Sequence, residues 1–144
     1  MKMNFQMLGL ILLLFASPSC SNDDNSNQKE IQGTWQLTKF EDSTEGIVLD
    51  PSDGYPVQIT FRANGSFDGK AGNNDVQGEY RLESGKLAFT LFGSEISNTE
   101  WELMFKRSIN KSWEGNEYIM PYNLEGNEMT LNYETQSKMF FMRI

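Results

Sequence analysis

Thr99-Glu100-Trp101-Glu102-Leu103-Met104-Phe105-Lys106-Arg107-Ser108-Ile109-Asn110-Lys111-Ser112-Trp113 is the one segment with a clear helical period. Trp101, Met104, Phe105 and Ile109 fall at i, i+3, i+4 and i+8, and Trp113 follows at i+12, which predicts a helix with one apolar face. Thr99 with Glu102 three residues on reads as a capping box. Glu100 and Glu102 near the start, and Lys106, Arg107 and Lys111 further on, suit the helix dipole, and Gly115 is placed to stop the helix. Burying five large side chains is worth on the order of 8 to 15 kcal/mol, whereas an isolated helix of this length is marginal in water. The helix therefore needs a surface to dock on.

The rest of the chain offers a β-sheet. Ile31 to Phe40 reads as a strand with Ile31, Gly33, Trp35 and Leu37 on one face, and Glu41 to Pro56 as a loop. Val57, Ile59 and Phe61 alternate into a second strand, and Asn64-Gly65 predicts a type I′ hairpin turn before a return strand beginning at Phe67. The Gly- and Asn-rich run Gly69 to Asp75 should bend sharply before Val76 to Leu82 resumes pairing. Ser84-Gly85 turns the chain again, and Leu87, Phe89 and Leu91 alternate. After the helix come strands at Tyr118 to Tyr122, Glu128 to Tyr133 and Lys138 to Ile144. The last is apolar on both parities, with Met139 and Phe141 alternating with Phe140, Met142 and Ile144. One helix on an antiparallel sheet makes the fold class mainly β (α+β).

The 144 residues suit one compact domain, and the formal net charge of -8, from 12 basic against 20 acidic side chains, leaves no basic patch for nucleic acid. The chain contains no histidine, which removes Ser-His-Asp and Cys-His nucleophiles and every His-ligated metal site. Its single cysteine, Cys20, lies in the N-terminal region, so no internal disulfide is available. Asp50 and Asp53 lie in a Pro- and Gly-containing turn, but the twelve-residue calcium-loop pattern is missing. No metal or cofactor is expected.

Residues 1–19 carry the parts of a secretory signal: Lys2, an apolar run from Met7 to Ala16 too short to span a bilayer, and small residues before Cys20. Ser17-Pro18-Ser19-Cys20 resembles a bacterial lipobox, departing from it in having Ser17 where leucine is usual. The resemblance implies acylation at Cys20 and attachment to a membrane through those acyl chains. Residues 20–30 are polar and read as a disordered acidic tether. Asp23-Asp24 is similar to the export signal of Bacteroidetes lipoproteins, which implies the outer membrane, on either its cell-surface or its periplasmic face.

Residues 31–144 resemble the META domain, the HslJ-like family. The similarity rests on Trp35-x-Leu37, Ile59-Thr60-Phe61 with Asn64-Gly65-Ser66-Phe67, Gly72-x-Asn74 with Gly78-x-Tyr80, and Gly126-Asn127-x-Met129-x-Leu131 after a mid-chain helix. The family usually has Gly-Cys-Asn where this chain has Gly72-Asn73-Asn74, so the family's disulfide is absent. The resemblance implies a curved antiparallel sheet or incomplete small β-barrel with the helix packed across its open side. Gly33-Thr34-Trp35 also resembles the Gly-x-Trp opening of lipocalin-like lipoproteins.

These features together imply a non-catalytic, lipid-anchored envelope protein acting as a binding or assembly module of unknown partner, another envelope protein being one candidate. One alternative is a lipocalin-like carrier of a small apolar ligand. Against that stand Trp35, Phe61, Phe67, Tyr80, Phe89, Trp101 and Phe105, enough large side chains to fill a small barrel. A more remote alternative is a glycosidase using two carboxylates from Asp68, Asp75, Glu79 and Glu95.

Overall fold

A computed structural model describes residues 23–49, 56–93 and 99–144. In chain order the elements are α1 (Asp23–Glu30), β1 (Gly33–Asp42), β2 (Ile47–Leu49), β3 (Val57–Phe61), β4 (Ser66–Ala71), β5 (Asn74–Glu83), β6 (Lys86–Phe89), β7 (Phe92–Gly93), α2 (Glu100–Asn110), β8 (Trp113–Glu114), β9 (Glu117–Glu125), β10 (Glu128–Glu134) and β11 (Ser137–Arg143).

The strands close into a ring. Hydrogen-bonded neighbours run β10-β11-β1-β3-β4-β5-β6-β9, and β9 pairs back to β10, giving an antiparallel eight-stranded barrel where an incomplete one was expected. Closure depends on β9 serving two neighbours in turn. Tyr118 to Pro121 pair with β6, and Tyr122 to Glu125 pair with β10. The short strands β2, β7 and β8 pair with β1, β5 and β9 respectively.

Alternation along the strands packs the interior. Trp35, Leu37, Val57, Ile59, Phe61, Phe67, Tyr80, Leu82, Leu87, Phe89, Met120, Met129, Leu131, Met139 and Phe141 are all buried. In β1 the register against β11 shifts between Leu37 and Lys39, a β-bulge that moves the inward positions from odd to even numbers. Phe40 and Asp42 therefore point inward, although a strict alternation from Trp35 would have turned them out.

Several local expectations are corrected. The loop foreseen over Glu41 to Pro56 contains β2, whose Ile47, Val48 and Leu49 sit opposite Asp42, Glu41 and Phe40. The Asn64-Gly65 hairpin forms, but Gly65 alone takes a positive φ, and the Asn64 carboxamide oxygen accepts from the Ser66 amide at 3.1 Å. That is a three-residue loop with a glycine bulge, whereas both central residues have positive φ at Ser84-Gly85. The bend foreseen within Gly69 to Asp75 is a tight turn at Gly72-Asn73 between fully paired strands. The tether foreseen over residues 20–30 is helical from Asp23 to Glu30. Lys29 in its last turn suits the helix dipole, and Asn27 donates to the Tyr122 hydroxyl at 3.0 Å.

The two barrel ends are closed differently. At one end the Arg143 guanidinium lies 4.4 Å from the Trp35 ring and donates to the carbonyls of Gln32 and Glu30. The Trp35 indole donates to the Ile31 carbonyl at 2.7 Å. At the other end α2 lies across the opening.

Candidate functional site

Helix α2 begins as its sequence dictates. Thr99 caps it, the Glu102 amide donates to the Thr99 hydroxyl at 3.1 Å, and the Thr99 amide donates to Glu102 Oε2 at 3.2 Å. Trp101, Met104, Phe105 and Ile109 are buried, and Trp101 meets Phe40 edge-on at 4.6 Å. The helix ends at Asn110, however, and Trp113 is no part of its face. Trp113 stands in β8, 52% exposed, in a T-shaped contact with Tyr118 at 4.8 Å. Gly115 makes the turn between β8 and β9 and does not cap the helix.

Two buried carboxylates fasten α2 across the barrel mouth, one near each end. Near the N-terminus the fully buried Glu102 accepts from Asn74 Nδ2 at 2.7 Å. Gly72 makes this possible, because a Cβ there would collide with the Glu102 carboxyl group, and its φ of +64° lies in the left-handed region that disfavours other residues. Gly72-x-Asn74 is thus the socket for the helix's own capping glutamate.

At the other end the buried Asp42 accepts from Lys111 Nζ at 3.1 Å, from the Thr44 and Glu45 amides at 3.0 and 3.1 Å, and from the Ser137 and Tyr133 hydroxyls, each at 3.3 Å. Lys111 also reaches Glu134 at 3.1 Å. Burial pushes the Asp42 carboxyl up, but the Glu45 amide, Lys111 and Ser137 outweigh it and hold it below the ordinary value. Burial pulls Lys111 down, yet Asp42 and Glu134 leave it raised, and burial raises the Tyr133 phenol.

The interior behind the helix is nearly full. A void of about 20 Å³ remains, bounded by apolar side chains including Phe61, Phe89, Leu91, Phe105, Ile109 and Leu131. All seven large side chains put forward as barrel fillers are buried. A space of that size is far below the several hundred Å³ of a ligand chamber.

A larger opening lies beside α2, next to the β5–β7 pair. This cleft of about 330 Å³ runs beside α2, with Val76, Leu91, Phe105 and Ile109 as its apolar surface and Lys106, Asn110 and Tyr118 around it. Leu91, Phe105 and Ile109 line both the cleft and the interior void, so they form the partition between the two. No motif announces the cleft, since its walls come from five separate elements; the one trace is the pairing of Phe105 and Ile109 with Lys106 and Asn110 along the helix.

The carboxylates considered for catalysis do not converge. Asp68 pairs with Arg62 at 2.5 Å and Asp75 with Lys70 at 2.6 Å, each on the outer face of the barrel, and Glu79 is exposed on that same face. Glu95, Asp50, Asp53 and Cys20 lie outside the described residues. Among the described residues no three His, Cys, Asp or Glu side chains gather to hold a metal ion.

These features define a class: a small antiparallel barrel, filled by its own side chains and plugged by one helix. The META domain family model matches residues 28–144, and the chain belongs to that family. Among solved structures it is similar to a protein from Burkholderia xenovorans studied by NMR, with 20% identity, a TM-score of 0.62, and 83% of this chain and 87% of that one covered. It is also similar to a DUF4847 family protein from Bacteroides vulgatus, with 16% identity, a TM-score of 0.56, and 81% and 96% covered. Identities this low speak for the fold alone. No curated protein sequence matches the chain at a significant level.

Proposed function

We propose that this chain is a non-catalytic, lipid-anchored protein of the outer membrane, held by acyl chains on Cys20, that serves as a binding or assembly module for another envelope protein. The observation that carries this reading is the filled barrel. With about 20 Å³ left inside, a partner must be met on the outer surface. The absence of histidine and the scattered, solvent-facing carboxylates support a module without chemistry of its own. Phe92 and Trp113, 64% and 52% exposed, Met142 on the last strand and Ile144 just after it supply apolar contact area. The alternating Phe140 is half-buried, with Lys39 over its ring at 5.5 Å.

Native mass spectrometry of the protein after incubation with a lipid and metabolite extract of its own cells tests the reading. The bare protein mass is expected; a stoichiometric added mass removed by unfolding would overturn it in favour of a carrier. In the same cells an alkyne fatty acid should label the protein, and Cys20→Ala should abolish the label. Labelling that survives this substitution would overturn the anchor.

A further inference from the structure

We propose that the barrel end carrying α1 rests on the bilayer surface, touching it through Ile144 and Met142, while α2 faces away from the membrane. This deepens the reading of the chain as an anchored module and rests on the acylation of Cys20.

The anchor lies close to the fold. Cys20 precedes α1 by three residues, and three residues reach at most about 10 Å. The helix adds no slack, because it is fastened to the barrel end. Asn27 and Gln28 are half-buried, Asn27 donates to the Tyr122 hydroxyl at 3.0 Å, and the helix lies against β5. The Arg143 guanidinium donates to the carbonyl of Glu30, the last residue of α1. An acyl chain on Cys20 therefore draws this end of the barrel to the membrane. The ten residues of β1 run from this end towards α2, and a strand of that length, about 30 Å, holds the α2 end clear.

The surface at this end fits a bilayer. Antiparallel pairing gathers the polar turns at Asn64-Gly65, Ser84-Gly85 and Gly126-Asn127 here, beside the end of β11. Among them stand Met142, 38% exposed, and Ile144, 64% exposed. The Ile144 amide donates to the Thr34 carbonyl at 3.0 Å, which holds that residue at the rim. Facing water, these side chains leave apolar area uncovered, whereas at the headgroup boundary they bury it. Charge is a poor substitute, since the exposed Lys29 and Lys86 are offset by the exposed Glu30, Glu125 and Glu128. Met142 and Ile144 thus serve the bilayer, and Phe92 and Trp113, at the α2 end, are left for the partner.

The test uses the full chain, processed and acylated in its own cells, labelled with ¹³C-methyl methionine and placed in phosphatidylcholine nanodiscs doped with a lipid carrying gadolinium on its headgroup. Paramagnetic broadening falls steeply with distance, so the methionines form a ruler along the barrel. Met142 should broaden most and Met104, in α2, least, by a factor of about five or more over the length of the strands. Ile144→Asp should cut the Met142 broadening about twofold, with the acyl mass retained. Equal broadening at Met142 and Met104, the reverse order, or an unchanged Met142 in Ile144→Asp would each overturn the orientation. A purified chain without acyl mass that does not stay with the nanodiscs is a different failure: it removes the anchor itself and the orientation with it.

Discussion

Asn74 donates to the buried carboxylate of Glu102 at 2.7 Å, joining the first turn of the plug helix to the β4–β5 hairpin. The same carboxylate caps its own helix through Thr99, so one side chain both starts the helix and fixes where it lands. Glu102→Ala removes both roles and leaves the Asn74 amide buried without this acceptor. The expected loss is about 3 kcal/mol in urea unfolding, with Glu102→Gln costing less than half of that. Equal losses for the two variants would show that packing matters here and the carboxylate does not.

The Asp42 cluster sets an acid limit on stability. A carboxyl held below its ordinary value when folded contributes stability that is present above the unfolded value, near 3.8, and is lost as pH falls through the folded one. Unfolding midpoints should therefore drop below about pH 4 in the native protein, and Asp42→Asn should flatten that drop while lowering stability at neutral pH by about 2 kcal/mol. Lys111 acts in the opposite sense. Its raised folded value gives stability that is complete below 10.5 and is lost as pH rises through the folded value. Lys111→Met should remove that alkaline loss in the same denaturation series.

Trp101 and Trp113 should separate cleanly under mutation. Trp101 is 2% exposed and packs on Phe40, so Trp101→Ala should cost about 4 kcal/mol. Trp113→Ala, on a surface strand, should cost under about 1 kcal/mol. Acrylamide should quench Trp113 in the folded protein far more strongly than Trp101, measured on single-tryptophan variants.

Phe105→Ala should join the interior void to the cleft, because Phe105 is part of the partition between them. A stability loss of about 3 to 5 kcal/mol is expected. The enlarged apolar cavity should also take up xenon, seen as a new ¹²⁹Xe resonance absent from the native protein. Phe105→Leu should cost less and leave the partition shut.

Much of this architecture was legible in residue order. The cap at Thr99 and Glu102, the alternation of Val57, Ile59 and Phe61, and the glycine turns are local signals, and local geometry honoured them. Trp113 misled because a repeat continued past the helix that produced it. The burial of Asp42 and Glu102 carries no local signal in the sequence. Asp42 is buried because the bulge after Leu37 reverses the inward parity, and Glu102 because a glycine three strands earlier leaves room for it. The cleft was invisible for a related reason: it exists only once β7, β9 and α2 are brought together.

The pairing of Trp35 with Arg143 has a temporal consequence. A chain delivered N-terminus first, from a ribosome or a translocation pore, cannot close this barrel until β11, through Arg143, has emerged. Until β11 arrives, β1 and β10 each lack the neighbour that lies between them, and both bare edges are open to other chains. Ring formation is then a late, long-range step, slow by virtue of its topology. A molecule lacking only the seven residues of β11, Ser137–Arg143, would keep most of its core-forming sequence and still be unable to become a barrel.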